Sequence, residues 1–126
     1  MNPITQEWVD KAEGDWATAN RENRARKNPN YDAVCFHAQQ CAEKYLKAFM
    51  QEKGINFRKT HDLEILLNDI LPIEPNWMVL RNSLIVLTTY VVEYRYPGAA
   101  TSKTEAKEAI IHCRAVRKTV RQYFGL

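Results

Sequence analysis

The sequence predicts an all-α fold, an antiparallel up-and-down helical bundle of about five helices in a single domain over residues 1–126. Three observations carry this reading. Apolar residues recur at intervals of three and four along most of the chain, which is the period of a helix and not the alternation of a half-buried strand. Only four glycines interrupt 126 residues, and prolines fall where the periodic runs stop. With 45% apolar residues, a chain of this length supports one substantial core and is too short for two.

The elements follow in order. Trp8, Ala12, Trp16 and Ala19 share one face, with Asp15 beside it, and predict a first helix over about residues 5–24. The stretch RENRARKNPN, residues 21–30, changes to charge, Asn and Pro and reads as a frayed end and a loop. Val34, Ala38, Cys41, Tyr45 and Phe49 stitch a second helix over about 31–53, which Gly54 stops. A short third helix starts near Thr60, His61 and Asp62, carries Leu63, Leu66, Leu67 and Ile70, and ends before Pro72. It serves as a cross-connection in the bundle.

Asn76 is placed to cap a fourth helix that runs to Pro97 and Gly98, with Leu80, Leu84, Leu87, Val91 and Tyr94 on one face. Val79, Val86 and Tyr90 line a second side, and Ile85 and Val92 a third. A helix apolar nearly all round is expected at the centre of the bundle or shared with another subunit. Ser102 and Glu105 have the spacing of a capping box, and open a fifth helix that runs to about Phe124. Its inward residues are Ala106, Ala109, Cys113, Val116, Val120 and Tyr123.

Composition removes several function classes. No run approaches the roughly 18 apolar residues of a membrane span, and the N-terminus lacks the basic start and apolar stretch of a signal peptide. A cytoplasmic protein without membrane contact is the expectation. Cys35, Cys41 and Cys113 sit in apolar helical patterns without CxxC spacing, which suits buried thiols and offers neither a disulfide frame nor a metal site. No metal and no cofactor are expected.

Charge is modest overall, +3, but uneven. Arg21, Arg24, Arg26 and Lys27 follow the first helix, and Arg114, Arg117, Lys118 and Arg121 share one face of the last. Solvated faces and helix-dipole complementation account for such clusters. The functional alternative is a phosphate-contacting surface for RNA, a nucleotide or an acidic partner. On the second helix, His37, Gln40, Lys44 and Lys47 fall within about a quarter-turn of one another, away from the core face. Glu43 and Lys47 have i,i+4 spacing for a surface ion pair. Thr60 and Asp62 read as capping residues, with His61 donating to a neighbouring helix. Tyr94, Arg95 and Tyr96 supply either base stacking with phosphate binding or a locked helix end.

Three segments in order, FHAQQCAEKYLKA from residue 36, KTHDLEILL at 59–67 and YRYPG at 94–98, resemble the HEPN domain family. The early Trp8, Ala12, Asp15 and Ala19 pattern and the capped last helix extend the resemblance over essentially the whole chain. The resemblance implies an all-α bundle that often forms homodimers and is commonly encoded beside a small nucleotidyltransferase of the MNT type. Members of one branch are toxin ribonucleases restrained by that partner. Their signature is an Arg, a polar residue, and a His four to six residues after the Arg, brought together across a dimer to cleave RNA without metal. Such chemistry suits an Arg that holds phosphate and an imidazole that moves a proton near neutral pH.

Here Arg81 and Asn82 stand where that signature begins, but Val86 occupies the histidine position. A valine carries no proton. The resemblance therefore implies a non-catalytic, dimeric partner of a nucleotidyltransferase that itself supplies metal and catalytic carboxylates. Nucleotide or RNA phosphate is the candidate ligand, with Lys44, Lys47 and Arg95 as its cations and Gln40 and Tyr96 as polar and aromatic contacts. Tyr90, Tyr94 and Tyr96 lie near where related toxins are nucleotidylated. Two other readings stand beside this one: a metal-independent ribonuclease toxin rebuilt from Arg81, Asn82 and another histidine, and a plain protein-interaction module docking through the fourth helix.

Overall fold

Pro3 opens the first helix because its locked φ suits the first helical position and its missing N–H is not needed there. Asn2 precedes it as the cap and accepts a hydrogen bond from the Thr5 amide at 2.8 Å. In this computed structural model, which describes residues 1–92 and 97–126, the helix α1 runs Pro3–Asn23 and α2 runs Tyr31–Lys53. Asn30 caps α2 through the Ala33 amide, and Gly54 ends it in the left-handed region at φ 69°. That conformation costs a glycine least. The short α3, Leu63–Ile70, is capped by Asp62, and α5, Lys103–Tyr123, starts at the reciprocal Ser102–Glu105 capping box.

The entry to the fourth helix differs from the expectation. Asn76 caps nothing. Pro75–Leu80 is a 3-10 helix whose preceding residue, Glu74, makes no side-chain cap, and α4 proper is Arg81–Val92. The tighter three-residue turn lets Trp77 and Leu80, three apart, both enter the core. The expected end of this helix, with Tyr94, lies outside the described residues.

Paired residues set the helix directions. Asn2 meets Glu52, and Glu22 meets Asn30, so α1 and α2 are antiparallel. Asp32 accepts from both the amide and the hydroxyl of Thr101, while Phe49 packs edge-on against Tyr123, so α5 runs parallel to α2. Ser83 meets His112, and Trp77 meets Tyr123, so α4 opposes α5. The four long helices alternate in direction along the chain, and α3 crosses between α2 and α4, with the Leu63 amide donating to Thr88 at 3.1 Å.

The centre of the molecule is α2 and not α4. Val34, Ala38, Cys41, Ala42, Tyr45, Leu46, Phe49 and Met50 are all fully buried, because α1, α3, α4 and α5 each pack on it. α4 buries Leu84, Leu87 and Tyr90, whereas Ile85 on it and Met78 and Val79 just before it stay exposed. Apolar content all round therefore marks α4 as a helix with an uncovered side. All three cysteines are buried free thiols, and burial pushes the Cys35 thiol pKa up to about 12. No helix among the described residues is long and apolar enough to cross a membrane.

Candidate functional site

Gln39, Glu43 and Lys47 recur every four residues on α2 and so stack along one side of it. Glu43 is 4% exposed. Its carboxylate accepts from Lys47 Nζ at 3.0 Å and from Gln39 Nε2 at 3.1 Å, and it lies 3.0 Å from Nδ1 of His61 in the segment leading into α3. Burial pushes the Glu43 pKa up, but the hydrogen bonds from His61, Lys47 and Gln39 more than offset this and hold it below the ordinary carboxylate range. The ammonium of Lys47 also lies 5.7 Å from the ring centres of Trp8 and Phe57, which themselves meet edge to face.

A second carboxylate organises the rest of the α2 polar stripe. Asp15 of α1 accepts from Lys44 at 2.6 Å and lies 2.7 Å from Nδ1 of His37. Gln40 donates to Gln39 at 2.7 Å. The four residues His37, Gln40, Lys44 and Lys47, which share a side in sequence, are thus divided: His37 and Lys44 go to Asp15, while Lys47 goes to Glu43 and Gln40 to the glutamine beside it. Arg95 and Tyr96, assigned with them as ligand contacts, lie outside the described residues.

On α4, Arg81 is tied to α3. Its guanidinium donates to Glu64 and, at 3.0 Å, to Asn68. Asn82 is exposed, and Val86 packs half-buried against the core. Next to Asn82, Ser83 Oγ lies 2.8 Å from His112 Nδ1 of α5. His112, from far along the chain, therefore meets α4 at Ser83, whereas Arg81 is turned to α3. Among the described residues, no three of His, Cys, Asp and Glu gather as a metal site.

The third carboxylate is Glu13. It receives two hydrogen bonds from Arg117, both 2.7 Å, accepts the Tyr45 hydroxyl, and lies 3.5 Å from Arg121. The bidentate Arg117 contact holds the Glu13 pKa low. Arg114 and Arg117 lie over the Trp16 indole at 5.8 and 5.0 Å. The two basic clusters occupy different levels of the bundle. Arg21, Arg24, Arg26 and Lys27 belong to the α1–α2 turn, where Glu22 meets Asn30, whereas the α5 cluster starts mid-bundle beside Glu13 and Trp16.

The HEPN domain family model matches residues 5–123 of this sequence. The chain belongs to the HEPN domain family. Its fold is similar to that of ST0689, an archaeal HEPN homologue, at 25% identity and a TM-score of 0.77 over 94% of this chain and 96% of that one. It is also similar to that of TT1696 from Thermus thermophilus, at 24% identity and a TM-score of 0.79 over the same shares. No curated protein sequence matches it.

Within this HEPN domain, the first two segments that carry the resemblance meet around one buried carboxylate. Gln39, Glu43 and Lys47 come from the first and His61 from the second. Periodicity along α2 singles out Gln40, Lys44 and Lys47, passes over Gln39, and reads Glu43 only as the partner of Lys47 in a surface pair; that pair forms, but it is largely buried. The available signal was a polar residue every fourth position within a helix otherwise apolar on that side, followed by a histidine just before the next helix. The Glu13–Tyr45–Arg117 cluster had no local signal, since its members come from three helices.

Proposed function

We propose that this HEPN domain is a non-catalytic, homodimeric binding subunit that partners a small MNT-type nucleotidyltransferase in a two-gene, toxin–antitoxin-like system. The observation that carries this reading is the state of Arg81. Its guanidinium is neutralised by Glu64 and held by Asn68, and the position that would supply an imidazole on its own helix is Val86, packed against the core. With Nε, Nη1 and Nη2 taken by Met78, Glu64 and Asn68, this guanidinium must give up a partner before it can hold a phosphate. Exposed Met78, Val79 and Ile85 leave an apolar strip suited to a second subunit. The ligand surface assigned to this subunit comprises Gln40, Lys44, Lys47, Arg95 and Tyr96. Nucleotide or RNA phosphate is its ligand.

Tagged copurification from the native organism, with mass spectrometry of partners and of the intact chain, tests the reading. A stoichiometric small nucleotidyltransferase is the expected result. Recovery of the chain alone, unmodified, at both low and moderate salt would remove the stable-complex model. Calorimetric titration with ATP and short RNA, on the native chain and on Arg95→Ala, tests the ligand surface. Equal binding by both proteins would reject it.

The Ser83–His112 contact favours a second reading, metal-independent RNA cleavage by Arg81, Asn82 and His112. An imidazole at this position would move the proton, and Arg81 would hold the phosphate after releasing Glu64. The purified chain would then cut RNA in the presence of a chelator, and both Arg81→Ala and His112→Ala would abolish cutting.

A further inference from the structure

The outer face of α5 carries a groove of about 430 Å³ lined by Arg114, Arg117, Lys118, Arg121, Gln122 and Leu126. After Glu108 the sequence contains no acidic residue, so these cations have no i,i+4 carboxylate on their own helix. They instead repeat one another: Arg114 precedes Lys118, and Arg117 precedes Arg121, by four residues, a spacing at which like charges repel. Complementation of the helix dipole explains only the last turn, where Arg121 stands. Glu13 is the one carboxylate recorded against the row among the described residues, and it engages Arg117 and Arg121 from the inner side. One carboxylate against four cations leaves the groove strongly positive.

The row is also held in place. Glu13 grips Arg117 through two hydrogen bonds, the Tyr45 hydroxyl accepts from Arg121 at 3.2 Å, and the Trp16 indole supports Arg114 and Arg117. Guanidiniums fixed in this way lose little side-chain freedom when they bind an anion. Arg114 and Lys118 are exposed on the outer edge. From Arg114 to Arg121 the cations span about 10 Å of helix axis, which is the reach of several linked phosphates and more than one phosphate occupies. The Trp16 face lies beneath the guanidiniums, so it offers no free platform for a base.

We propose that this α5 groove is a binding site for linked phosphates, contacted through their oxygens without recognition of the base. The chemistry is common to the triphosphate of a free nucleotide and to consecutive phosphates of a single strand. Its lining residues are none of those assigned to the ligand surface of the proposed function, and it requires no partner protein.

Calorimetric titration of the purified chain with inorganic triphosphate, ATP and an oligouridylate at low salt tests it. Binding of triphosphate and ATP with similar affinity identifies the free-nucleotide source. Binding of the oligomer alone, with log K falling against log salt at a slope of about −2 for three contacts, identifies the strand. In either case Arg114→Glu/Lys118→Glu should weaken binding at least tenfold. Lys103→Glu/Lys107→Glu, with the same charge change at the exposed start of α5, should have a much smaller effect. The proposal is overturned if none of the three probes binds, if the two double variants behave alike, or if Arg95→Ala removes binding that the groove variant retains.

Discussion

Glu43 shows how a residue of the family segments can serve by holding other side chains in place. A carboxylate at 4% exposure is costly unless its oxygens are satisfied, and three side chains from two segments satisfy them. Glu43→Ala should leave Lys47 and His61 without their partner and lower stability by about 2–3 kcal/mol, less than a fully buried pair because His61 is largely exposed. Urea unfolding of the variant at pH 7 checks this. The pH dependence has a definite sign. Since the folded pKa of Glu43 is depressed, its stabilisation is complete above the unfolded value of about 4.3 and is lost as pH falls through the lower folded value. A plot of unfolding free energy against pH should fall below about pH 4.3, and Glu43→Gln should flatten that fall.

The helices owe their limits to local chemistry, and their positions to side chains that join them. At α5 both halves of the capping box are made, Ser102 Oγ accepting from the Glu105 amide at 3.1 Å and Glu105 accepting from the Ser102 amide at 3.0 Å. Ser102→Ala should cost about 1 kcal/mol, seen as a lower urea midpoint with an unchanged m-value. The starts of α5 and α2 are also latched by Asp32, which accepts twice from Thr101. The 3-10 helix before α4 is not legible in the sequence because Asn76 is a good cap by type. Pro75 at the first position and the pull of Trp77 and Leu80 into the core decide the tighter turn instead.

Because all the other helices pack on α2, damage there should be felt throughout. Leu46 is fully buried, and Leu46→Ala should destabilise by roughly 2–5 kcal/mol. Circular dichroism and tryptophan fluorescence should report the same shifted midpoint, since one shared core makes unfolding a single transition. Different midpoints from the two probes would mean that α3 and the 3-10 helix melt apart from the α1–α2–α5 body. The same packing explains why the polar residues of α2 divide as they do. One side of the stripe meets Asp15 of α1, and the other meets Glu43 and the segment before α3.

By itself the sequence determined the class of fold, the limits of α2 and α5, the buried thiols and the family, because helical periodicity, caps and ordered motifs are local properties written in neighbouring residues. It also showed which histidine was absent from the Arg81 segment. Only the tertiary structure decided that α2 is central, that Glu43 and Asp15 divide the polar stripe, that Arg81 is held by Glu64, and that His112 reaches Ser83. It also separated the two basic clusters and set Trp16 and Glu13 beneath the α5 row. Each of these pairs residues many positions apart, as Glu13 with Arg117 does, and no periodicity along one helix specifies which face of a distant helix it will meet. Packing chooses that face by burying the most apolar surface while every buried carboxylate finds its donors.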